Sequence, residues 1–260
     1  MPNLNKILNT TTPEAIASTP IKHARTLWAR FRADNGFKET ATKLLSAPDY
    51  NTKLTKTGAY GLALAPHRVS GMNVCPASTP ECRRNCVSLA GNGFYPVVQR
   101  ARITKTKFLA AHPEAFMALL IDEISKIDSI PVRLNVFSDI AWEQHFPWMF
   151  DLLSDTTFYD YTKRWDRIWT RPDNYTLAAS VSEKTTDNQI DTARIAGFSL
   201  AVVFAVKRTK SLPTEWRGMP VVDADKSDRW MIEHTGPVVG GLRMKGKLQN
   251  ANSPFARSVT

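Results

Sequence analysis

The chain is poor in several things at once. Its 260 residues include only three cysteines, five histidines and 12 glycines, and 24 acids stand against 34 lysines and arginines. An odd number of thiols makes no disulfide framework and implies a reducing compartment. No glycine-rich phosphate loop follows any apolar run, which removes the commonest sign of a nucleotide-binding doubly wound sheet. No apolar run is long enough to span a bilayer. The first 18 residues lack the apolar core and cleavage site of a signal peptide, so the expectation is a protein of the cytoplasm with no membrane partner. The deficit of acids leaves a formal net charge of +10, which makes a polyanion the first partner to consider, and DNA the natural one.

The few cysteines are not scattered. Cys75, Cys82 and Cys86 fall within one stretch, CPASTPECRRNC, and nothing in core packing requires such clustering. A shared metal is the economical explanation. The C-x6-C-x3-C spacing differs from the C-x2-C pairing usual in structural zinc sites. Three thiolates leave one position to fill: a histidine, with His67 nearest in sequence, would close a zinc site, whereas an exogenous ligand would suit an iron-sulfur cluster. Arg83 and Arg84 lie inside the same stretch.

Along the chain, residues 1–57 are polar and read as an N-terminal extension carrying one amphipathic helix over about 21–32. The body, 58–260, opens with an apolar strand that feeds the cysteine loop. A long helical pattern over 97–127 is expected to break at Pro113. Its first part carries Arg100, Arg102, Lys105 and Lys107 with no acid, a pattern suited to phosphate contacts. Apolar strands then alternate with helices: strands over 132–138, 157–162, 174–182, 200–206, 219–222 and 237–244, helices over 142–153 and 186–196. This predicts an α/β fold with a parallel sheet covered by helices, and with about seven strands a TIM-like βα barrel, complete or incomplete.

In such a barrel the polar residues at the carboxyl ends of the strands are the ones to read. Asp139 ends the second strand, with Glu143 one turn on. Asp160 lies in mid-strand, where burial demands a partner, for which Lys163 or Arg164 is expected. Glu183 reads as a helix cap, and Asp223 ends the 219–222 strand ahead of Asp225 and Asp228. Tyr159, Tyr161, Trp165 and Trp169 stand among Lys163, Arg164, Arg167 and Arg171, which suits base stacking or a barrel core equally. Arg243, Lys245 and Lys247 in a glycine-rich segment offer another phosphate contact.

Taken with RLNVFSDIAWE, FYDYTK and VVDADKSDRW followed by VVGGLRMKGK, the cysteine stretch resembles the phage gene product 88 domain family over roughly residues 58–258. The resemblance implies a bacteriophage protein working in the infected host cell. The cysteine loop after the first strand is also similar in place to the cluster loop of radical S-adenosylmethionine enzymes. In architecture and roles the chain looks like the phage DNA guanine transglycosylases, barrels with a cysteine-bound metal and an aspartate nucleophile. The expectation is therefore a DNA base-modifying enzyme that exchanges guanine for a 7-deazaguanine through Asp139 or Asp160, with Asp223 and Lys163 assisting and structural zinc on Cys75, Cys82, Cys86 and His67. The alternatives are an iron-sulfur enzyme using S-adenosylmethionine, and a non-catalytic zinc-stapled DNA-binding protein.

Overall fold

Nine short strands pair into one sheet: β1 (Leu45–Ser46), β2 (Tyr60–Leu62), β3 (Val132–Arg133), β4 (Phe158–Thr162), β5 (Tyr175–Ser180), β6 (Leu200–Phe204), β7 (Glu215–Trp216), β8 (Met219–Asp223) and β9 (Val239–Arg243). A computed structural model of the chain describes residues 3–36, 42–50, 52–234, 236–246, 248 and 253–259. The order across the sheet is β1-β2-β3-β4-β5-β6-β9-β8-β7. The two-residue edge strands β1 and β7 pair antiparallel, and every other pairing is parallel.

From β2 to β6 each crossover moves one strand in the same direction, so right-handed connections set the intervening helices on one face. The core confirms it. Phe108 and Phe116 from the helices Pro96–Ala111 and Pro113–Ile124, Trp142 and Phe150 from the next connection, and Ile168 and Ile190 from the two after that share one cluster with Phe158, Tyr175, Leu177, Val202 and Phe204 of the strands. The other face is thinner. Tyr159, Ala178 and Ala201 there meet Leu54, Trp230 and Met231. A Cβ on Gly240 would stand 2.2 Å from the Trp230 ring, so the glycine lets the helix Trp230–Glu233 lie flat on the sheet.

The architecture is mixed α/β with a mostly parallel sheet, as the alternating pattern predicts. A closed barrel is not what the pairing describes: β1 and β7 end the order, and among the described residues no pairing joins them. Short antiparallel strands stop the sheet at both edges. The polar N-terminal region contributes more than its composition suggests, since Leu4, Leu8, Ile16, Ala24 and Trp28 enter the main core. Trp28 packs 4.9 Å from Phe108, and Arg25 pairs with Asp122 at 2.8 Å, seating the helix Ile21–Asp34 on its neighbours.

Candidate functional site

The strand expected over 132–138 stops after Arg133. Asp160 of β4 takes the Asn135 backbone N–H at 3.0 Å on both carboxylate oxygens, which withdraws that N–H from strand pairing. The Asn135 side chain then closes the loop that follows, accepting from the Ile140 N–H (2.9 Å) and the Ser138 hydroxyl (2.8 Å) while donating to the Ile140 carbonyl (3.0 Å). This loop ends by presenting Asp139 at the carboxyl edge of the sheet.

Asp139 is fixed from three directions. Its Oδ1 accepts from the Thr162 hydroxyl and from Arg167 Nη1, each at 2.7 Å, and its Oδ2 accepts from the Lys163 backbone N–H at 2.9 Å. Arg167 is fully buried and also grips Glu143 with two bonds, Nε to Oε1 at 2.7 Å and Nη2 to Oε2 at 2.9 Å. Its Nη2 also reaches the Tyr175 hydroxyl at 3.1 Å, and that hydroxyl donates to Asp160 at 2.7 Å. Burial opposes the guanidinium charge, but Tyr175, Glu143 and Asp139 outweigh it and raise the Arg167 pKa further. One continuous network therefore joins Asp139, Glu143, Arg167, Tyr175, Asp160 and Asn135.

Asp160 has no exposure at all. Burial pushes its carboxyl up to about 6, while Arg133, the Tyr175 hydroxyl, Arg167 and the Asn135 N–H pull the other way. Its partners are Asn135, Tyr175 and Arg133 (3.4 Å), not the expected Lys163 or Arg164. Arg133 continues the network through the sheet: its Nη1 meets Asp228 at 3.1 Å, and its guanidinium lies 4.8 Å from the centre of the Tyr161 ring. Tyr161 donates to Asp228 and accepts from Trp230 Nε1 at 3.3 Å.

The cysteine loop follows β2, the first parallel strand, and is tied to the same edge. The Asp139 N–H donates to the Val74 carbonyl at 2.8 Å, and Cys75 Sγ contacts the Phe137 carbonyl at 3.4 Å and accepts from the His67 N–H at 3.3 Å. Cys82 sits on the short helix Pro80–Arg84, begun by Thr79, whose hydroxyl accepts from the Cys82 N–H at 3.1 Å. Glu183, just past β5, completes that cap by accepting from the Thr79 hydroxyl (2.8 Å) and the Glu81 N–H (3.2 Å). It is a cap, as its sequence suggests, but of a helix a hundred residues away.

Burial raises the Cys75 thiol to about 12, partly offset by the His67 N–H and reinforced by Asp139, Cys82 and Cys86. The donor chemistry suits a soft metal such as zinc. Among the described residues, however, no three His, Cys, Asp or Glu side chains stand together as metal ligands would. His67 meets Cys75 through its main chain, and its left-handed backbone (φ 50°) turns the loop there.

The expected cationic surfaces divide. Arg102 and Lys105 are buried, not phosphate-facing: Arg102 donates to the Ser88 carbonyl at 2.6 Å and stacks 4.1 Å over Phe137, and Lys105 donates to the Leu44 carbonyl at 2.6 Å. Their helix turns those positions toward the core, so a run of cations without acids does not define one exposed face. Arg83, Arg84, Arg100 and Lys107 are exposed. Arg83 donates to the Ser78 carbonyl, Arg84 pairs with Glu81, and Arg100 reaches the Gly36 carbonyl at 3.0 Å. Arg243 pairs with Asp223 (2.9 Å) and Asp225 (3.0 Å), and Lys245 pairs with Asp225 (2.7 Å), so those charges are neutralised locally. Lys247 lies outside the described residues. Of the aromatics expected to stack on bases, Tyr159 is fully buried and Trp165 packs on the core, while Trp169 meets Phe198 at 4.7 Å and remains 54% exposed. Sequence reading passed over Asn135, Arg133 and Tyr175; polar groups set within apolar strands were the available signal.

A mostly parallel α/β sheet that collects a thiol loop, an anchored carboxylate and a buried ionic network along its carboxyl edge defines the class. Residues 35–258 match the family described as Gene product 88, and the chain belongs to this family of phage proteins. No curated protein and no solved structure matches it. Among the described residues no helix is long and apolar enough to cross a membrane.

Proposed function

We propose that the chain is a phage enzyme that exchanges a guanine of DNA for a 7-deazaguanine, with Asp139 as the nucleophile. The observation that carries this reading is the placement of Asp139, a carboxylate at the carboxyl edge of the sheet held in one orientation by Thr162, the Lys163 N–H and Arg167. Such fixing is what a nucleophile needs to meet a sugar carbon along one line. The Asp139 oxygen would bond to the anomeric carbon as the glycosidic C–N bond breaks and guanine leaves with a proton. The incoming base would then displace the aspartate and give up one proton, restoring the carboxylate.

Of the two aspartates considered, Asp160 has no exposure and is engaged by Asn135, Tyr175 and Arg133 in holding the Asn135 loop, whereas the Asp139 side chain, though largely buried, keeps 10% exposure, and we assign the nucleophile's role to Asp139. Asp223, paired with Arg243 at the end of β8, stands five strands along the sheet from β3. Lys163 adjoins Asp139 through its backbone N–H, while its ammonium lies 5.5 Å from the centre of the Phe255 ring, and it would have to swing from that ring to carry a proton. Cys75, Cys82 and Cys86 are the residues that would hold a structural zinc; among the described residues they do not stand together as ligands, so binding would require the loop to draw the thiols in. Digestion of DNA from expressing cells, followed by nucleoside mass spectrometry with wild type and Asp139→Asn, tests the reading. A modified nucleoside that persists in the variant removes Asp139 from the role.

The loop's position after the first parallel strand favours a second reading, an iron-sulfur enzyme whose cluster the three cysteines hold. Anaerobic purification separates the two: iron with visible absorption supports the cluster, and colourless protein with zinc supports the first.

A further inference from the structure

The segment between the last cysteine and the helix Pro96–Ala111 leaves its apolar side chains uncovered. Among the described residues Phe94 is 72% exposed, Tyr95 57%, Val87 52% and Leu89 49%, and they follow one another within eight positions from Val87. Single exposed apolar residues are ordinary, but four in nine consecutive positions are the composition of a surface that meets a partner. The segment is also firmly built. Arg102 holds the Ser88 carbonyl from below, Gln99 Nε2 holds the Phe94 carbonyl at 2.9 Å, and the Gly93 N–H bonds to the Ala90 carbonyl at 3.1 Å. A Cβ at Gly93 would come within 1.9 Å of the Ser88 carbonyl oxygen, so only glycine permits this fold of the chain. The two rings are displayed by fixed backbone.

Charge selects the partner. From Cys82 to Pro113 the sequence has no aspartate or glutamate, while Arg83, Arg84, Arg100 and Lys107 lie exposed in it. An apolar surface for another protein has no reason to exclude acids over 32 residues, whereas a polyanion does. Rigid aromatics among cations are the pattern that stacks on unpaired bases and holds the flanking phosphates. The same Arg102 that supports the segment stacks on Phe137, two residues from Asp139, so the aromatics and the anchored carboxylate are mechanically joined.

We infer that residues 87–97 form a stacking wedge for DNA, with Phe94 and Tyr95 taking the bases beside the target nucleotide and Arg83, which no carboxylate pairs among the described residues, a flanking phosphate. The inference rests on the proposed function for its choice of nucleic acid, but its test reads binding alone. Full-length protein, its Phe94→Ala/Tyr95→Ala variant and a Phe94→Trp/Tyr95→Trp variant are titrated against a fluorescein-labelled 20-nucleotide single strand. A duplex carrying 2-aminopurine reports unstacking. The alanine variant should bind the single strand about tenfold or more weakly and lose the 2-aminopurine signal, and the tryptophan variant should keep both. Arg83→Gln should weaken binding and flatten its salt dependence.

An alanine variant with Kd within about twofold of wild type overturns the wedge. So does a wild type that binds no DNA, or a dimer that the alanine variant dissolves without change in DNA binding. The two proposals fail separately: binding through the wedge in a protein that exchanges no base leaves the wedge standing, and exchange that survives an ineffective alanine variant removes the wedge alone.

Discussion

Replacing Arg167 by methionine should test the buried network more severely than any other single change. The guanidinium is fully buried and serves Glu143 twice, Asp139 once and the Tyr175 hydroxyl once. Methionine fills similar volume without charge, so the loss is electrostatic and not a cavity. Removing one partner of a buried ion pair leaves the other uncompensated and costs about 3–5 kcal/mol. Here Glu143, with 1% of its side chain exposed, has no access to water that could replace the arginine. For a chain of this length each kcal/mol lowers Tm by roughly 2–4 °C, so Arg167→Met should melt roughly 6–20 °C below wild type. Urea denaturation followed by circular dichroism reads the free energy directly. Adding Glu143→Leu should recover about 1–3 kcal/mol, because the double variant no longer buries that unpaired carboxylate. Arg167→Lys should fall between, since a single ammonium reproduces neither the fork on Glu143 nor the reach to Tyr175. A melting point for Arg167→Met close to wild type, or strictly additive variants, would refute the network as the element that fixes this edge of the sheet.

Asp160 should give the protein a distinctive acid limb. Its carboxyl sits at about 6 in the fold against an ordinary 3.8, so the folded state holds the extra proton between those values. The contribution is complete below pH 4 and lost as pH rises through 6; it amounts to roughly 3 kcal/mol. Asp160→Asn should therefore lack this fall in stability between pH 4 and 6, and parallel pH profiles for the two proteins would contradict the assignment. Glu183→Ala should destabilise by about 0.5–2 kcal/mol, from a cap lost on the helix carrying Cys82, measurable by urea denaturation; no change means the cap is idle. Gly240→Ala should lift Trp230 from the sheet at a cost of about 1–3 kcal/mol, with a shift in tryptophan fluorescence, and an unchanged spectrum would contradict the close packing.

Much of the fold was legible because its signals are local. Apolar strands such as Leu200–Phe204 and the helix break at Pro113 need only neighbouring residues to specify them. The end of β3 at Arg133 was not legible, since VRLNVFS has strand character throughout and the Asn135 N–H is taken by a carboxylate from the next strand. The same holds for the cations of the helix Pro96–Ala111, where the sequence shows four charges in eight residues but only packing decides that Arg102 and Lys105 turn inward. The role of Arg167 was hidden for a like reason: it stands in a basic, aromatic stretch, and its partners Glu143 and Asp139 come from an earlier connection. The glycine at 93 and the acid-free run around it were visible in the sequence, yet their joint meaning needs the exposed rings of Phe94 and Tyr95.

The most direct test of the central claim is nucleoside mass spectrometry on DNA from cells supplied with a 7-deazaguanine precursor and expressing either wild type or Asp139→Asn. Wild type should yield a 7-deazaguanine nucleoside, and a variant that remains folded and still binds DNA should yield none. An unmodified digest from wild type, or equal modification by both proteins, would contradict the claim.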